Sequence, residues 1–195
     1  MAAGLSFLSD NRVFKASLTV DASLLPKPAT DTGRRQVKAT GLLSWTMTEE
    51  WLLESRLVYR GRNYDSDRAD IRADATWTRG GWTVKGRLNG VHDGGFGLLG
   101  YLEGGWKPPD WTVWVRLTGF RTSGWQSRIY VYERDAPANF SAPAYYGTGF
   151  SAFAFAGWKK RWGRTAIKLY LRGSYKWPKE KPGQAGLKLQ LMADR

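Results

Sequence analysis

The chain lacks cysteine altogether and contains a single histidine, His92. The absence of cysteine excludes a disulfide framework and a thiolate metal site, and one histidine leaves almost no basis for histidine-ligated metals or catalytic triads. Long apolar runs are also missing, since the longest, Gly149–Trp158, falls short of the ~18 residues of a membrane helix. Residues 1–12 lack the basic and apolar regions of a signal peptide, so we expect a mature chain or a piece of a longer one.

Basic residues, glycine and tryptophan are abundant instead. The 195 residues include 30 Lys and Arg against 17 Asp and Glu, a formal net charge of +13, together with 23 Gly and 11 Trp. Such a charge indicates a polyanionic partner, a charged lumen or an anionic lipid surface. No linker is visible and the length suits one domain, so residues 1–195 are interpreted as a single β-barrel domain.

Side-chain character alternates with a period of two along most of the chain, and helical periodicity is nearly absent. The alternation predicts strands at Asp70–Thr78, Trp82–Gly90, Trp111–Phe120 and Ala166–Tyr175, and a last strand carrying Leu187, Leu189 and Leu191. Many predicted strands have ~9–12 residues, close to the ~9–11 of a tilted membrane strand and above the ~5–6 of ordinary soluble strands. The predicted fold class is all-β, an antiparallel up-and-down transmembrane β-barrel of about 12 strands, either whole or partial.

The connections between the predicted strands fall into two groups. Tight turns are predicted at Glu49-Glu50, Arg79-Gly80-Gly81, Pro108-Pro109-Asp110 and Arg161–Arg164. Longer loops are predicted at Asp21–Arg35, Asp135–Tyr146 and Pro178–Ala185. Short and long connections do not alternate cleanly in this interpretation, so neither group is assigned to one side of the barrel.

The positions of tryptophan decide which face is expected to meet lipid. A soluble barrel buries its apolar face, whereas a membrane barrel turns that face to lipid and encloses the polar one. Most tryptophans fall at or near predicted strand ends, as in the girdles of membrane barrels, while Trp45 and Trp114 lie within strands. Small apolar-face residues such as Ala73, Gly86 and Ala154 would leave a soluble core poorly filled. We therefore predict that apolar side chains point to lipid and charged ones point inward.

The inward face would line a basic lumen that favours anions if it conducts. The candidate lumen-lining residues are Arg72, Lys85, Arg87, Arg116, Arg128, Lys168, Arg172 and Lys188. Opposite charges interleave on this face, as in Asp70-x-Arg72-x-Asp74, and could pair across adjacent strands. A barrel of this size could also be plugged by its own side chains.

The segment before the longest loop is interpreted as a membrane-crossing strand. In Arg128–Arg134 we expect Ile129 and Val131 toward lipid and Arg128, Tyr130 and Tyr132 inward. The following Asp135–Tyr146 would be a rim loop stiffened by its prolines. This loop is either a contact site for a ligand or partner, or a lid that only closes the turn. Its candidate contact residues are Asp135, Asn139, Phe140, Tyr145 and Tyr146.

The sequence offers no constellation that would support catalysis or metal binding. His92-Asp93 lacks a positioned nucleophile, and Asp65-Ser66-Asp67 lacks the remaining ligands of a calcium loop. The basic and aromatic run Trp158–Arg164 fits an anchor near anionic lipid or a single-stranded nucleic-acid contact, and its tight-turn context favours the anchor. We expect no enzymatic activity, no catalytic residue, no cofactor and no metal.

Three segments resemble a known family. They are RIYVYERDAPANFSAPAYYGTGF at Arg128–Phe150, the later GWKKRWGR, and the closing LKLQL strand. They resemble the C-terminal β-barrel region of Bacteroidetes outer-membrane proteins that carry a helix-hairpin-helix domain. The resemblance implies an outer-membrane location and no enzyme activity. The DNA-binding helical pairs of that family lie N-terminal to the barrel and have no counterpart in this sequence, so DNA binding is not carried over.

The sequence thus predicts a non-enzymatic outer-membrane β-barrel protein, structural or transport-related, with a basic lumen. Membrane lipid is the expected partner, with an anionic solute or ligand and other outer-membrane subunits as further candidates. Nucleic acid is not expected as a partner of this barrel. The alternative is a soluble all-β protein that binds nucleic acid or another polyanion through a basic face.

Overall fold

The structure, a computed structural model, describes residues 2–10, 13–25, 34–137 and 139–194. These residues form thirteen β-strands. The strands are β1 (Ala2–Asp10), β2 (Phe14–Leu25), β3 (Arg34–Thr46), β4 (Trp51–Arg62), β5 (Arg68–Arg79), β6 (Trp82–Asp93), β7 (Phe96–Trp106), β8 (Trp111–Thr122), β9 (Ile129–Tyr130), β10 (Ala144–Tyr145), β11 (Thr148–Trp162), β12 (Thr165–Pro178) and β13 (Gln184–Asp194). No helix that could cross a membrane occurs in the described part of the chain.

Eleven of the strands form one antiparallel sheet in the order β1-β2-β3-β4-β5-β6-β7-β8-β11-β12-β13. The short strands β9 and β10 pair only with each other. The predicted antiparallel, up-and-down, all-β class is confirmed. The main sheet has eleven strands rather than about 12, and within the described residues no pairing joins β1 to β13, so the sheet is not closed.

The strands form where the alternation predicts them. Strands β5, β6, β8 and β12 contain the four predicted segments and extend beyond them by at most three residues at either end. Alternating apolar and polar side chains suit a pleated strand, because successive side chains point to opposite faces of the sheet. The strands of the main sheet range from 9 to 15 residues, well above the ~5–6 residues common in soluble proteins.

A two-residue turn at Gly80 and Gly81 sets the register between β5 and β6. The φ angles of these glycines are 54° and 82°, in a region that glycine adopts at little cost. Two positive φ angles in succession give the hairpin turn whose twist matches that of the strands. The resulting register places Arg87 directly opposite Asp74, a pair that belongs to the candidate site described below.

The two faces of the main sheet differ in chemistry and in exposure. The apolar face carries side chains such as Leu102, Leu117 and Leu189, and the last two are 69% and 70% exposed. The charged face carries side chains such as Asp74 and Glu103, which are only 4% and 1% exposed. This is the reverse of a water-soluble sheet, where the apolar side chains are the buried ones.

The connections separate to the two ends of the sheet. Because neighbouring strands are antiparallel, one end, here called the turn end, holds the described connections 47–50, 80–81, 107–110 and 163–164. The other end, the loop end, holds the described connections 63–67, 94–95, 123–147 and 179–183. The predicted long loops Asp135–Tyr146 and Pro178–Ala185 both fall at the loop end, but this end also holds the two-residue connection 94–95, so short and long connections do not alternate cleanly, as predicted. Of the predicted Asp21–Arg35 loop, residues 26–33 lie outside the described residues.

Aromatic side chains line both ends of the apolar face. The turn end has a row of tryptophans, namely Trp45, Trp51, Trp77, Trp82, Trp106, Trp111, Trp158 and Trp162. The loop end has Tyr59, Phe96, Phe150, Tyr175 and Trp177. Contrary to the prediction, Trp45 lies near the end of its strand. Trp114 lies within β8 as predicted and belongs to the charged face, where it is buried.

Residues 123–147, here called the insert, connect β8 to β11 and do not join the main sheet. The prediction that Arg128–Arg134 crosses the membrane as a strand of the barrel wall is therefore wrong. Its alternation is real, but Ile129 and Val131 are buried and Tyr130 and Tyr132 are exposed. The buried side chains face the sheet rather than lipid, as the contacts of the insert establish. Ala138, which falls in the predicted rim loop, lies outside the described residues.

Candidate functional site

The insert packs on the charged face of the sheet through a small apolar cluster. From the insert the cluster takes Ile129, Val131 and Tyr145, of which Ile129 and Tyr145 are 1% exposed. From β6, β7 and β8 it takes Val91, Leu99, Tyr101 and Phe120. The charged face therefore carries an apolar area where the insert covers it, and burial of these side chains supplies a non-directional part of the docking free energy.

Close approach of the insert requires a glycine in β7. A Cβ atom on Gly97 would overlap the backbone carbonyl oxygen of Ser127, which belongs to the insert. Glycine at this position lets two backbones come together without a side chain between them. The contact holds the start of the insert against the loop end of the sheet.

Two buried glutamates, one from the sheet and one from the insert, join the two elements by ion pairs. Glu103 of β7 accepts hydrogen bonds from Nε and Nη2 of Arg116 and lies 3.2 Å from Nη2 of Arg134, an arginine of the insert. Glu133 of the insert accepts a hydrogen bond from Arg172 of β12. Each element thus supplies one buried carboxylate to the other, and such pairs are costly to break because a charge is left buried.

Tyr145 adds a charge-assisted hydrogen bond to the same arrangement. Its hydroxyl donates to Oε1 of Glu133 at 2.5 Å. Burial and the adjacent Glu133 carboxylate both raise the pKa of Tyr145. The phenol therefore stays protonated and remains a hydrogen-bond donor at any ordinary pH.

Two of the arginines that pair with Glu103 also stack on aromatic rings of the sheet. The guanidinium carbon of Arg134 lies 3.3 Å from the centroid of the Trp114 ring, and that of Arg116 lies 4.1 Å from the centroid of Tyr101. Stacking of a planar guanidinium on an aromatic face is favourable, the more so where water is excluded. These contacts orient both arginines toward Glu103.

The far part of the insert reaches the edge strand β13. Lys188 Nζ donates to Oδ2 of Asp135 at 2.9 Å, and Asn139 Nδ2 donates to Oε1 of Gln190 at 2.6 Å. Although burial acts to raise the pKa of Asp135, hydrogen bonds from Lys188 and from the backbone N–H of Ala136 hold it below its usual value. The insert thus runs across the charged face from β6 to β13.

A second cluster of charges lies on strands β4, β5 and β6, beside the insert. Its centre is Asp74, whose side chain is fully buried. Arg72 Nε lies 2.9 Å from Oδ2 of Asp74, and Lys85 Nζ and Arg87 Nε lie 3.5 and 2.5 Å from Oδ1. Three cations around one carboxylate leave this part of the face net positive.

The structure places seven of the eight predicted lumen-lining residues on the charged face. They are Arg72, Lys85, Arg87, Arg116, Lys168, Arg172 and Lys188. The eighth, Arg128, is corrected: it belongs to the insert, where its Nη1 donates to the Trp125 carbonyl oxygen and its Nε to the Tyr130 hydroxyl, both at 2.8 Å. The chain leaves the main sheet after β8 and re-enters it at β11, so Arg128 lies outside the sheet.

The predicted rim-loop residues divide between contact with the sheet and exposure. Asp135, Asn139 and Tyr145 contact the sheet or lie buried against it, as described above, so this segment is not a loop confined to the rim. Phe140 is exposed and packs against Tyr132 of the insert, with ring centroids 5.8 Å apart. Tyr146 packs edge-on against Trp125, also of the insert.

The buried glutamates escaped the sequence analysis. Glu103 shares its face with Leu99 and Tyr101, and Glu133 shares its face with Ile129 and Val131. A carboxylate that follows apolar residues at a spacing of two is the signal that could have drawn attention to either residue. The partners of these carboxylates come from distant strands, so their pairing could not be inferred from local pattern.

Neither acidic motif of the sequence forms a reactive centre. His92 and Asp93 point to opposite faces, His92 against the Phe96 ring and Asp93 toward Arg62, Arg68 and Ser66. In the turn between β4 and β5, Asp65 and Asp67 are held by Arg62 and Tyr59 rather than arranged around a shared centre. The described residues include no cluster of three or more acidic, histidine or cysteine side chains placed to hold a metal.

Comparisons of the chain with protein-family models, curated proteins and solved structures found no match. The resemblance to the outer-membrane family therefore stays a prediction. The chemistry of the arrangement consists of a basic face, an insert docked on it and an exposed apolar face.

Proposed function

We propose that the chain forms the wall of an outer-membrane β-barrel, a non-enzymatic structural or transport protein with a basic interior. The observation that carries the proposal is the exposure of leucines in the middle of the strands while carboxylates and arginines are buried on the opposite face. Contiguous exposed apolar surface of this kind marks a membrane or protein contact. A lipid-facing wall with a polar interior accounts for both faces at once.

The spacing of the two aromatic rows supports a bilayer rather than a protein partner. Strand β7 has 11 residues, with Phe96 at the loop end and Trp106 at the turn end. At ~3.3 Å per residue the two aromatics are about 33 Å apart along the strand. A tilt of ~40° reduces this distance to about 25 Å across the membrane, the height of the apolar band of such barrels.

The distribution of the connections also supports this orientation. Outer-membrane barrels have short turns on the periplasmic side and longer loops outside. The turn end would then face the periplasm and the loop end, with the insert, would open to the exterior. The basic hairpin Trp158–Arg164 at the turn end fits the anchor near anionic lipid that the sequence predicts.

The insert gives the proposed barrel a partly filled interior. It covers the charged face from β6 to β13, so a conducting path has to run beside it, along the basic cluster of β4 to β6. Such a path would favour anions. In lipid the edges of β1 and β13, which have no strand partner among the described residues, must find hydrogen-bonding partners, because open sheet edges are not tolerated there.

A matched pair of substitutions in β7 tests the proposal. Leu102 and Phe96 both lie on the apolar face and are similarly exposed, the first near the middle of the strand and the second at its start. We expect Leu102→Arg to lower the free energy of unfolding in phospholipid vesicles by about 2–4 kcal/mol and Phe96→Arg by about 0–1 kcal/mol. Urea unfolding followed by tryptophan fluorescence measures both.

The soluble alternative predicts different behaviour in the same preparation. A polyanion-binding protein would stay in the aqueous fraction without detergent, and both arginine variants would be near neutral. It would also bind nucleic acid with an affinity that falls steeply as salt rises. The barrel should instead float with vesicles and migrate anomalously on a gel until it is boiled. A protein that does neither would refute the proposal.

A further inference from the structure

A cavity lies on the charged face beside the insert, over strands β4, β5 and β6. Its volume is about 320 Å³, at the lower end of the ~300–1,000 Å³ typical of small-molecule sites. Its charged lining residues are Arg56, Arg60, Arg68, Arg72, Arg87 and Asp70. Five guanidinium groups against one carboxylate give the cavity a strongly positive wall.

The register of β4 and β5 places two pairs of these arginines directly opposite each other. Arg56 faces Arg72, and Arg60 faces Arg68. Like charges in facing positions are destabilising unless something neutralises them. Asp70 does so for the second pair, because its carboxylate oxygens lie 3.1 Å from Arg60 Nη1 and 2.9 Å from Arg68 Nη2.

The pair of Arg56 and Arg72 is only half neutralised. Arg72 lies beside Asp74, whereas Arg56 has no carboxylate at ion-pair distance among the described residues, since Glu54 and Asp74 both pair with other cations. The Nε atom of Arg56 is buried and donates no hydrogen bond within the described structure, whereas Nε of Arg72 lies 2.9 Å from Oδ2 of Asp74 but is not aligned to donate to it. Buried donors of a charged group without an acceptor are costly. Both guanidinium groups also line the cavity, so an anion there would neutralise the charge that no carboxylate of the described residues neutralises at Arg56.

We propose that this cavity binds a phosphate-class oxyanion, with Arg56 and Arg72 as its principal contacts. The fork of a guanidinium group matches two oxygens of a phosphoryl group, which a lysine cannot do. Buried Val58, Val91 and Ile129 form part of the wall and lower the local dielectric, which strengthens charge-assisted hydrogen bonds.

The insert is part of this site. Ile129 and Tyr130 of the insert line the cavity, so the wall is complete only when the insert is docked on the sheet. The site depends on the charged face and the insert alone, and it would exist whether the apolar face meets lipid or another partner. Failure of the anion site would therefore leave the proposed barrel untouched, and the reverse holds as well.

Calorimetric titration with inorganic phosphate tests the site. The whole chain is folded in neutral detergent micelles, in phosphate-free buffer at constant ionic strength, and a second titration uses glycerol phosphate. We expect one saturable site for inorganic phosphate, weakened at least about tenfold in Arg56→Gln, as for loss of a charge-assisted bidentate contact. Arg164→Gln, which removes the same charge from an exposed turn, should leave the affinity unchanged.

Two further measurements keep the proposal open to refutation. Arg56→Lys keeps the charge but loses the fork, so its affinity should fall between those of the wild type and Arg56→Gln. Without phosphate, Arg56→Gln should unfold at the same or a higher urea concentration than the wild type, because a facing positive charge is removed. Arg56-dependent binding of glycerol phosphate would extend the ligand to phosphate esters, and binding of inorganic phosphate alone would limit it to the free ion.

Three results would overturn the proposal. The first is an Arg56→Gln variant that binds phosphate as tightly as the wild type. The second is an equal loss of affinity in Arg56→Gln and Arg164→Gln, which would mean attraction to the overall charge rather than a site. The third is a clear loss of stability in phosphate-free Arg56→Gln, which would mean that Arg56 already has an internal partner.

Discussion

Glu133 joins the insert to the sheet through a buried ion pair with Arg172. Its side chain is 4% exposed and lies between the Tyr145 hydroxyl and the Arg172 guanidinium, whose side chain is 10% exposed. Glu133→Gln keeps the shape and one acceptor oxygen for Tyr145, but it removes the charge that neutralises Arg172. Nε of Arg172 already lacks a hydrogen-bond acceptor in the described structure, so loss of the Glu133 charge leaves this guanidinium group without its ion-pair partner.

The expected cost follows from the burial of the pair. Removing one partner of a buried ion pair costs about 3–5 kcal/mol, because the other charge stays buried without compensation. We expect the lower end, about 3 kcal/mol, since Arg172 keeps some contact with water. The matched control is Asp110→Asn, which breaks the half-exposed pair of Asp110 with Lys160 and should cost at most about 1 kcal/mol.

Two assays separate loss of the insert contact from loss of the whole fold. Urea unfolding in detergent micelles gives the free energy of unfolding, and limited trypsin digestion reports release of the insert by cleavage after Arg128 and Arg134. A Glu133→Gln/Arg172→Gln double variant should recover part of the loss, since neither charge is then buried alone. The reasoning is refuted if Glu133→Gln unfolds like Asp110→Asn and is cleaved no faster than the wild type.

Two further predictions concern packing and pH. A Cβ atom on Gly105 would overlap the Trp114 ring, whereas one on Gly104 would come no closer than 3.9 Å to its nearest neighbour. We therefore expect Gly105→Ala to lower the free energy of unfolding by about 1–3 kcal/mol. Gly104→Ala should be near neutral in the same urea assay. The pKa of Asp135 is lower in the folded protein than its usual value of 3.8, so its contribution is fully present above about pH 4 and is lost as pH falls through the folded pKa. Stability measured between about pH 6 and pH 3 should therefore fall less steeply in Lys188→Gln than in the wild type, and parallel pH profiles would contradict this reading.

The alternation of side chains was sufficient to predict most of the fold. Strands β5, β6, β8 and β12 were located to within three residues because period-two alternation is a local property of a strand. Chain order also gave the neighbours, since short hairpin turns join antiparallel strands. The number of strands was overestimated because Arg128–Arg134 alternates as regularly as the strands of the sheet do.

The error at Arg128–Arg134 has a physical cause. Alternation tells which residues share a face, but it does not tell what that face contacts. Ile129, Val131 and Glu133 do share a face, and it packs on the charged face of the sheet because Val91 and Leu99 offer apolar contacts there and Arg172 pairs with Glu133.

The ion pairs of the site could not be predicted from the sequence either. Glu103 pairs with Arg116 of the next strand and with Arg134 of the insert. These contacts depend on the register of β7 with β8 and on a fold-back of the insert, neither of which leaves a local pattern. The basic character of the face was predictable from composition, whereas the carboxylates buried among its cations were not.

The orientation of the sheet relative to lipid can be measured with two adjacent labels in β8. The chain has no cysteine, so a single cysteine can carry a single nitroxide label. Leu117→Cys places the label on the apolar face, and Thr118→Cys places it on the charged face. In phospholipid vesicles we expect the label at position 117 to collide with dissolved oxygen far more than with a water-soluble nickel complex, and the label at 118 to be shielded from oxygen. A label at 117 that collides mainly with the nickel complex would contradict the account at its centre.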